Sequence, residues 1–344
     1  MNHGLTEYRA FFVILIFLFH AGVLPIGGTF GVTAFFILSG FCTAYYCYCR
    51  YDVKTSYSEY LKKRLVKYYP LHWLLLLPAL ISEFFTGYSL VKSSLILIAN
   101  FLLIQSWIPI NEVFFSYNAV SWYLSVTIFF VIISYPPLLE KYMGCKSSTK
   151  VFIFLLVISL QILLFTLLPK NLIHPIMYIN PLVRFADFLF GVNVAMLYPT
   201  IVKRRIIIKL FGVIIKYRIL YPTIVGLVFL VSIIFFSDYF GKYAYLSLIY
   251  WLPCLLVLLI CSVTYFHHIL FFRFLGSVSF EFFMVHQLTM NFITKCMQYG
   301  FLPEMNSYIV VLIDFLVALL LALLLHKYFT IPLTNKLRQP IEKS

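Results

Sequence analysis

Long apolar segments alternate with short polar segments along the whole sequence. Except for 88–104, each of the eleven apolar segments is close to the ~20 residues that a helix needs to cross a bilayer. They are continuously apolar, whereas a strand of a membrane barrel would alternate apolar and polar positions. The pattern therefore predicts helices over residues 8–25, 30–49, 68–85, 88–104, 121–139, 151–169, 176–198, 219–237, 244–266, 275–295 and 307–328.

One of these segments, 88–104, decides the topology, because it is short and contains Lys92. If it does not cross the membrane and the N-terminus is cytoplasmic, 20 of the 26 Lys and Arg residues fall in cytoplasmic segments, as the positive-inside rule requires. We therefore predict an all-α polytopic membrane protein with about ten transmembrane helices. Both termini are predicted to be cytoplasmic, and 88–104 to form a re-entrant or non-spanning helix. The predicted cytoplasmic segments are 50–67, 140–150, 199–218, 267–274 and 327–344.

The composition supports a membrane protein and excludes most other classes. The chain has 344 residues, 62% of them hydrophobic, and a mean hydropathy of +0.96. Only 11% of the residues are charged, against about 25% in soluble domains, which excludes a soluble enzyme and a nucleic-acid-binding module. The net charge of +14 follows mainly from the basic cytoplasmic segments. No polar segment is long enough for a second domain, so we predict one transmembrane domain over 1–335 and a short cytoplasmic tail over 336–344.

Neither the cysteines nor the glycines form a ligand-binding motif. Most of the seven cysteines lie within apolar segments, and no Cys or His pair in a polar segment has the spacing of metal ligands. We therefore predict no metal site and no tightly bound cofactor. The glycines of the second segment lack the spacing of a phosphate loop and instead predict close helix packing. These glycines are Gly27, Gly28, Gly31 and Gly40.

Ionisable side chains within the predicted helices are candidates for function, because burying them in a membrane is costly. Arg9 and His20 are separated by eleven residues, which make three helical turns plus ~20°, so both lie on one face, ~16 Å apart along the axis. An anionic donor bound by the arginine could thus present its reactive end to the histidine. A snorkelling arginine and a packed histidine would give the same spacing. The other candidates of this kind are Arg184, Asp187, Glu281 and His286.

Histidine is suited to proton transfer, because it titrates near neutral pH. His20 could act as a general base toward a hydroxyl or as a transient nucleophile, and the sequence leaves both roles open. Arg184 and Asp187 are three residues apart, so we expect them to neutralise each other. For His286, a site role and a packing role both remain open. His72 lies at a segment edge, which predicts an interfacial position.

A basic stretch between the second and third predicted helices is the main candidate for phosphate binding. Arg64 and Lys67 are three residues apart, which places both on one face of a short helix at the inner surface. Arginine can hold a phosphate through two hydrogen bonds, so such a pair suits a phosphorylated donor. Ordinary positive-inside charge would also explain both residues.

Six stretches, taken in order, resemble the signatures of the bacterial membrane-bound acyltransferase-3 family, which includes sugar O-acetyltransferases. Arg9 and His20 match the family's Arg-x10-His signature, and Lys67 replaces the second arginine of its RxxRxYP run. The resemblance covers essentially the whole chain, and the order of the six stretches makes it specific. The stretches are Leu5–Gly22, Gly31–Phe41, Arg64–Pro70, Gln105–Pro109, Trp122–Val126 and Leu275–His286.

The resemblance implies a multi-pass acyltransferase of the bacterial inner membrane. Its donor would be cytoplasmic acetyl-CoA, and its acceptor a hydroxyl of a surface glycan (O-antigen, capsule or exopolysaccharide) or of the undecaprenyl-linked precursor. Partners are then acetyl-CoA, the glycan and the lipid bilayer, with no nucleic acid. The implied catalytic residues are His20 and Arg9, the implied donor-binding residues are Arg64, Lys67 and Arg9, and the implied acceptor-binding residues are His286, Trp122 and Ser125.

Two other functions remain open at this point. A glycan or lipid transporter would also line a pathway with buried charges, although the segment pattern shows no inverted repeat. A catalytically degenerate relative is the second alternative, because Thr127 stands where many members of the family carry a glutamate.

Overall fold

The described part of the chain is helical, and no strand occurs in it. The computed structural model describes residues 3–25, 27–50, 56–83, 89–203, 243–263 and 270–342. Two π-helical turns, His174–Ile179 and His326–Thr330, interrupt the regular helices. The α-helices, numbered in chain order, are α1 (His3–His20), α2 (Gly27–Arg50), α3 (Tyr57–Leu65), α4 (Tyr69–Glu83), α5 (Leu90–Phe101), α6 (Asn111–Phe114), α7 (Trp122–Ile133), α8 (Pro136–Gly144), α9 (Ser147–Leu167), α10 (Lys170–Ile173), α11 (Pro181–Lys203), α12 (Trp251–Val263), α13 (Leu270–Ser277), α14 (Ser279–Gln298), α15 (Ser307–Leu325) and α16 (Ile331–Glu342).

Four helices within the described ranges are long and apolar enough to cross a membrane, and a bent pair, α7 and α8, could form a fifth span. This finding confirms the all-α architecture with membrane-spanning helices. Ten crossings and the cytoplasmic placement of both termini stay predictions. The predicted helix 219–237 and most of the basic segment 199–218 lie outside the described residues. The four spans are Gly28–Tyr45, Ser147–Leu167, Pro181–Tyr198 and Ser307–Leu337.

Several segments predicted as single helices are broken in the structure. The prediction for 121–139 is wrong, because α7 ends at Ile133 and α8 begins at Pro136 at an angle of 72°. Proline has no amide proton and disfavours helical backbone in the residue before it, which explains this break. Pro181 likewise begins α11 after the first π-helical turn. The break at Val278, between α13 and α14, has no proline to explain it.

The first helix ends in a glycine cap. α1 begins at His3 and ends at His20, earlier at both ends than the predicted segment 8–25. Gly22 has a φ of +72°, in the left-handed region that glycine adopts readily. Its amide donates to the Phe19 carbonyl, and the next amide, that of Val23, donates to the Leu18 carbonyl. This pair of bonds is a Schellman motif, and it makes His20 the last residue of the helix.

The chain divides into two compact units, and each is described by itself. Unit 1 comprises Met1–Asp52, Pro136–Tyr178 and Leu182–Gly276. In it α1 packs against α2 and α12, and Gly28 and Gly31 of α2 let the two helices approach, since a Cβ at either position would collide with α1. This division into compact units does not test the predicted single transmembrane domain over 1–335, which stays a prediction.

Unit 2 comprises Val53–Tyr135, Ile179–Pro181 and Ser277–Ser344. Its α5 has 12 residues, or ~18 Å, which is shorter than the ~30 Å hydrocarbon core, and the re-entrant or non-spanning helix near 88–104 stays a prediction. The Tyr69 hydroxyl donates to the Leu102 carbonyl at 3.0 Å and the Trp73 indole to the Phe101 carbonyl at 3.1 Å. The start of α4 therefore lies beside the end of α5. At the C-terminus, α16 extends through most of the predicted tail.

Candidate active site

Arg9 and His20 lie on one uninterrupted helix in unit 1. α1 spans 18 residues, and both side chains are half-buried. The eleven-residue separation in this regular helix corresponds to ~16 Å along the axis and leaves the two side chains only ~20° apart around it. The geometry required by the sequence hypothesis is therefore present, while the catalytic roles stay predictions.

The His20 ring is held by contacts with residues of its own helix. Its ring hydrogen-bonds the backbone carbonyl of Ile16, and the Phe19 ring packs edge-on at 5.3 Å. Because a carbonyl only accepts, one ring nitrogen of His20 donates, which leaves the other nitrogen of the neutral imidazole as an acceptor. His20 also ends α1, where the helix dipole stabilises the positive charge that forms when the ring takes a proton.

Arg64 and Lys67, both in unit 2, do not lie in one helix, so the prediction of a single short helix for both is wrong, while their common face stays a prediction. α3 ends at Leu65, and Lys67 lies in the turn before α4. Its amide donates to the Arg64 carbonyl at 3.2 Å, as in a three-residue turn. Pro70 explains the break, since it cannot supply the amide that a continuous helix would need there. Phosphate binding by these two cations stays a prediction.

Both cations are placed against aromatic rings. The Arg64 guanidinium lies 5.6 Å from the Tyr60 ring centre, and the Lys67 ammonium 5.3 Å from that of Tyr68. Tyr60 is itself fixed, because its hydroxyl donates to the Ser134 carbonyl at 3.0 Å. A ring held in this way supports the guanidinium in a defined position.

The two signature stretches Gln105–Pro109 and Trp122–Val126 meet in unit 2. The Ser106 hydroxyl donates to the Trp122 carbonyl at 2.8 Å, and the Ser106 amide donates to Ser125 Oγ at 3.3 Å. Trp122 and Ser125 are both buried. Their positions are thus explained by the internal structure of the loop, and acceptor binding by them stays a prediction.

His286, in α14, is fully buried. Its Nδ1 lies 2.7 Å from the Phe283 carbonyl and therefore donates, which leaves Nε2 of a neutral ring as an acceptor. The Phe282 ring is stacked parallel to it at 6.2 Å. Glu281 does not orient this histidine, because its carboxylate lies 2.9 Å from Nδ1 of His326. Acceptor binding by His286 is untested by this geometry.

The predicted neutral pair of Arg184 and Asp187 is confirmed in unit 1. Both side chains are fully buried, and Nη2 lies 3.0 Å from Oδ2. The guanidinium also donates to Thr33 Oγ1 at 2.9 Å, and the Trp251 indole donates to Asp187 at 2.6 Å. This network joins α11 to α2 and α12, so a structural role accounts for it.

The burial of three polar residues was not predicted from the sequence. His72 is 1% exposed, and its Nε2 bonds the Asn100 carbonyl at 2.8 Å, while its position at the membrane interface stays a prediction. Asp314 in α15 is 5% exposed, and Glu7 in α1 is 4% exposed, with Arg273 acting on it electrostatically. The sequence could have indicated Asp314, because it is the single charged residue of segment 307–328 before Lys327. Within the described ranges, no group of three His, Cys, Asp or Glu side chains could hold a metal ion.

Helices able to cross a membrane define the class, a helical membrane protein, and the pair Arg9 and His20 lies within one of its apolar segments. A family model described as "Acyltransferase domain" matches residues 2–327. The chain therefore belongs to the acyltransferase-3 family, and the family predicted from the six stretches is confirmed.

One curated relative supports the same assignment. Acyltransferase MdmB of Streptomyces mycarofaciens is 32% identical over 101 residues, which cover 28% of this chain and 25% of that protein. The match thus spans a quarter of the relative's length. No solved structure matches the chain. Together the family and this relative support an acyltransferase.

Proposed function

We propose that this acyltransferase moves an acetyl group from acetyl-CoA to a hydroxyl of a bacterial surface glycan or its lipid-linked precursor at the cytoplasmic membrane. The observation that carries the proposal is the placement of Arg9 and His20 on one face of α1 in a chain of this family. Acetyl-CoA carries phosphates at one end and a thioester at the other. A cation and a base separated along one helix suit such a donor.

The proposed reaction exchanges a thioester for an ester. The acceptor hydroxyl gives its proton to the ring nitrogen of His20 that does not carry a proton, while its oxygen attacks the acetyl carbonyl. The carbon–sulfur bond then breaks, and the imidazolium returns the proton to the departing thiolate. The products are the O-acetyl glycan and free CoA. If His20 carries the acetyl group instead, the same bonds exchange in two steps, with ping-pong kinetics in place of sequential kinetics.

The predicted binding residues form two groups, one of cationic residues and one of other polar and aromatic residues. Arg9, Arg64 and Lys67 are proposed for the phosphates of the donor, because a guanidinium binds phosphate through paired hydrogen bonds. The acceptor is assigned to polar and aromatic groups of unit 2, namely His286, Trp122 and Ser125. Tyr and Trp rings with polar edges suit a sugar, which has both apolar and hydroxylated faces. Thr127 cannot replace a carboxylate as a base, and its hydroxyl already donates to the Tyr123 carbonyl at 2.9 Å.

The experiment that tests the function is the O-acetyl content of the surface polysaccharide in the host strain. A deletion mutant should lose alkali-labile acetyl signals in the NMR spectrum, and the wild-type gene should restore them at the same ring position. If the deletion changes the amount of glycan and leaves its acetylation intact, the protein is a transporter and the proposal is wrong. If neither quantity changes, the degenerate relative is the correct interpretation.

A further inference from the structure

An apolar cavity of about 630 Å³ lies between α4 and α5 of unit 2. Its lining contains no charged side chain and includes Trp73, Leu77, Ile98 and Phe101, all of which are exposed. The volume falls within the ~300–1,000 Å³ of typical ligand sites. The cavity opens on a surface predicted to lie in the bilayer. A hydrocarbon ligand suits it best, because the cavity offers no polar group that could orient a polar ligand.

The length of the cavity matches one leaflet. Its lining on α4 extends from Pro70 to Leu80, a rise of ~15 Å, which is half of the ~30 Å hydrocarbon core. A phospholipid acyl chain fills that depth. A polyprenyl carrier chain is several times longer and would leave most of its length outside.

One end of the cavity is marked by amphipathic aromatic residues. Tyr69 directly precedes the lining residue Pro70, and Trp73 is itself part of the lining. Both side chains use their polar atoms on carbonyls at the end of α5. Tyr and Trp concentrate at the level of lipid headgroups, which places this end of the cavity at the interface.

Two lysines lie close to the lining residues. Lys67 precedes Pro70 by three residues, Lys327 precedes the lining residue Phe329 by two, and both lysines are exposed. The predicted topology puts segments 50–67 and 327–344 on the cytoplasmic side. Each such cation near the membrane surface attracts anionic lipid. The cavity therefore combines an apolar channel with positive charge on the side where a phosphate headgroup would lie.

We propose that this cavity binds one acyl chain of an anionic phospholipid of the cytoplasmic leaflet, with Lys327 contacting its phosphate. The inference rests on the cavity and the predicted topology and is independent of the acyl acceptor. Such a lipid would also fix α4 against α5, because it fills the space between them.

Lipid retention by the purified full-length protein tests whether the cavity binds an acyl chain. Protein in detergent is incubated with phosphatidylglycerol or phosphatidylcholine of identical chains, and bound lipid is counted by native mass spectrometry. Wild type should retain phosphatidylglycerol about fivefold better than phosphatidylcholine. Leu77→Trp, which fills the cavity, should lose the bound lipid, whereas Leu155→Trp, at an exposed position of α9 in unit 1, should behave as wild type. Equal retention by both variants would overturn the proposal.

The charge contribution is tested separately. Lys327→Gln should lower the preference for phosphatidylglycerol about fivefold, and Lys336→Gln, an exposed lysine of α16, should leave it unchanged. Undecaprenyl phosphate added at equal concentration should not displace phosphatidylglycerol from wild type. Displacement would identify the carrier lipid as the occupant and contradict the proposal. Because the readout is bound lipid, failure here is distinguishable from failure of acyl transfer.

Discussion

Gly40 of α2 and Gly191 of α11 face each other's backbone at one helix crossing in unit 1. A Cβ atom on Gly40 would collide with the carbonyl oxygen of Phe188, and a Cβ atom on Gly191 would collide with that of Ile37. The two backbones can come this close only because neither glycine has a side chain. The crossing holds α2 beside the helix that carries the buried Arg184.

Replacing either glycine by alanine should separate these helices. Gly191→Ala is expected to lower the free energy of unfolding by about 1–3 kcal/mol, the usual cost of overpacking. Thermal unfolding in detergent measures the change. Gly144→Ala is the control, since nothing lies within 4 Å of a Cβ at that position. Equal unfolding temperatures for the two variants would show that the crossing tolerates a methyl group.

The buried pair of Arg184 and Asp187 predicts that removing only one of the two charges destabilises the protein more than removing both. Arg184→Met leaves a carboxylate buried without its cation and should cost about 3–5 kcal/mol. The double variant Arg184→Met with Asp187→Leu removes both charges and should regain most of this loss. Denaturant unfolding of the single and double variants checks the prediction. A double variant no more stable than the single one would contradict it.

The sequence predicted what depends on local spacing, and it failed where distant residues decide. Within the described residues the apolar segments predicted helical structure, although some of these helices are broken, and the three-residue spacing of Arg184 and Asp187 predicted their contact. The burial of His72 was not predicted, because it involves the carbonyl of Asn100 in another helix. Lys67 was wrongly placed in the same helix as Arg64, although the signal for the break, Pro70, stands in the same stretch.

Only part of the geometry of the candidate site could be predicted from the sequence. The spacing of Arg9 and His20 gave their common face, which needs no more than helix geometry. Where α1 ends was missed, because hydropathy continues past His20 and the cap depends on the backbone of Gly22. That end matters for function, since it places His20 among the last carbonyls of the helix.

Removing the charge of Arg9 should weaken donor binding. Arg9→Gln is expected to raise the KM for acetyl-CoA by about 10- to 100-fold, the equivalent of one lost charged hydrogen bond, with a smaller effect on kcat. Arg9→Lys should restore part of the loss. Transfer from labelled acetyl-CoA in membrane vesicles measures both constants. Lys295→Gln is the control, because the predicted topology places that lysine on the opposite side of the membrane.

His174 predicts a pH dependence of stability. It lies in the predicted loop between 151–169 and 176–198, with the Tyr178 and Tyr245 rings at 5.2 and 5.1 Å. Burial lowers the pKa of His174, so the unfolded chain takes up a proton first as the pH falls below ~6.5. Stability contributed by the neutral ring is complete above that pH and is lost below it. His174→Phe should therefore lose less stability than wild type between pH 7.5 and 5.5 in thermal unfolding, and an equal loss would refute the prediction.

Transfer of labelled acetyl from acetyl-CoA to alkali-labile ester, in membrane vesicles that contain the native acceptor, tests the central claim most directly. Wild type, His20→Ala and the control His174→Phe are compared at equal membrane levels of protein. The account predicts that His20→Ala is at least about 100-fold slower than wild type, as expected for loss of the acid–base group, and that His174→Phe retains full activity. Equal ester formation by His20→Ala and His174→Phe would remove His20 from the mechanism and contradict the account.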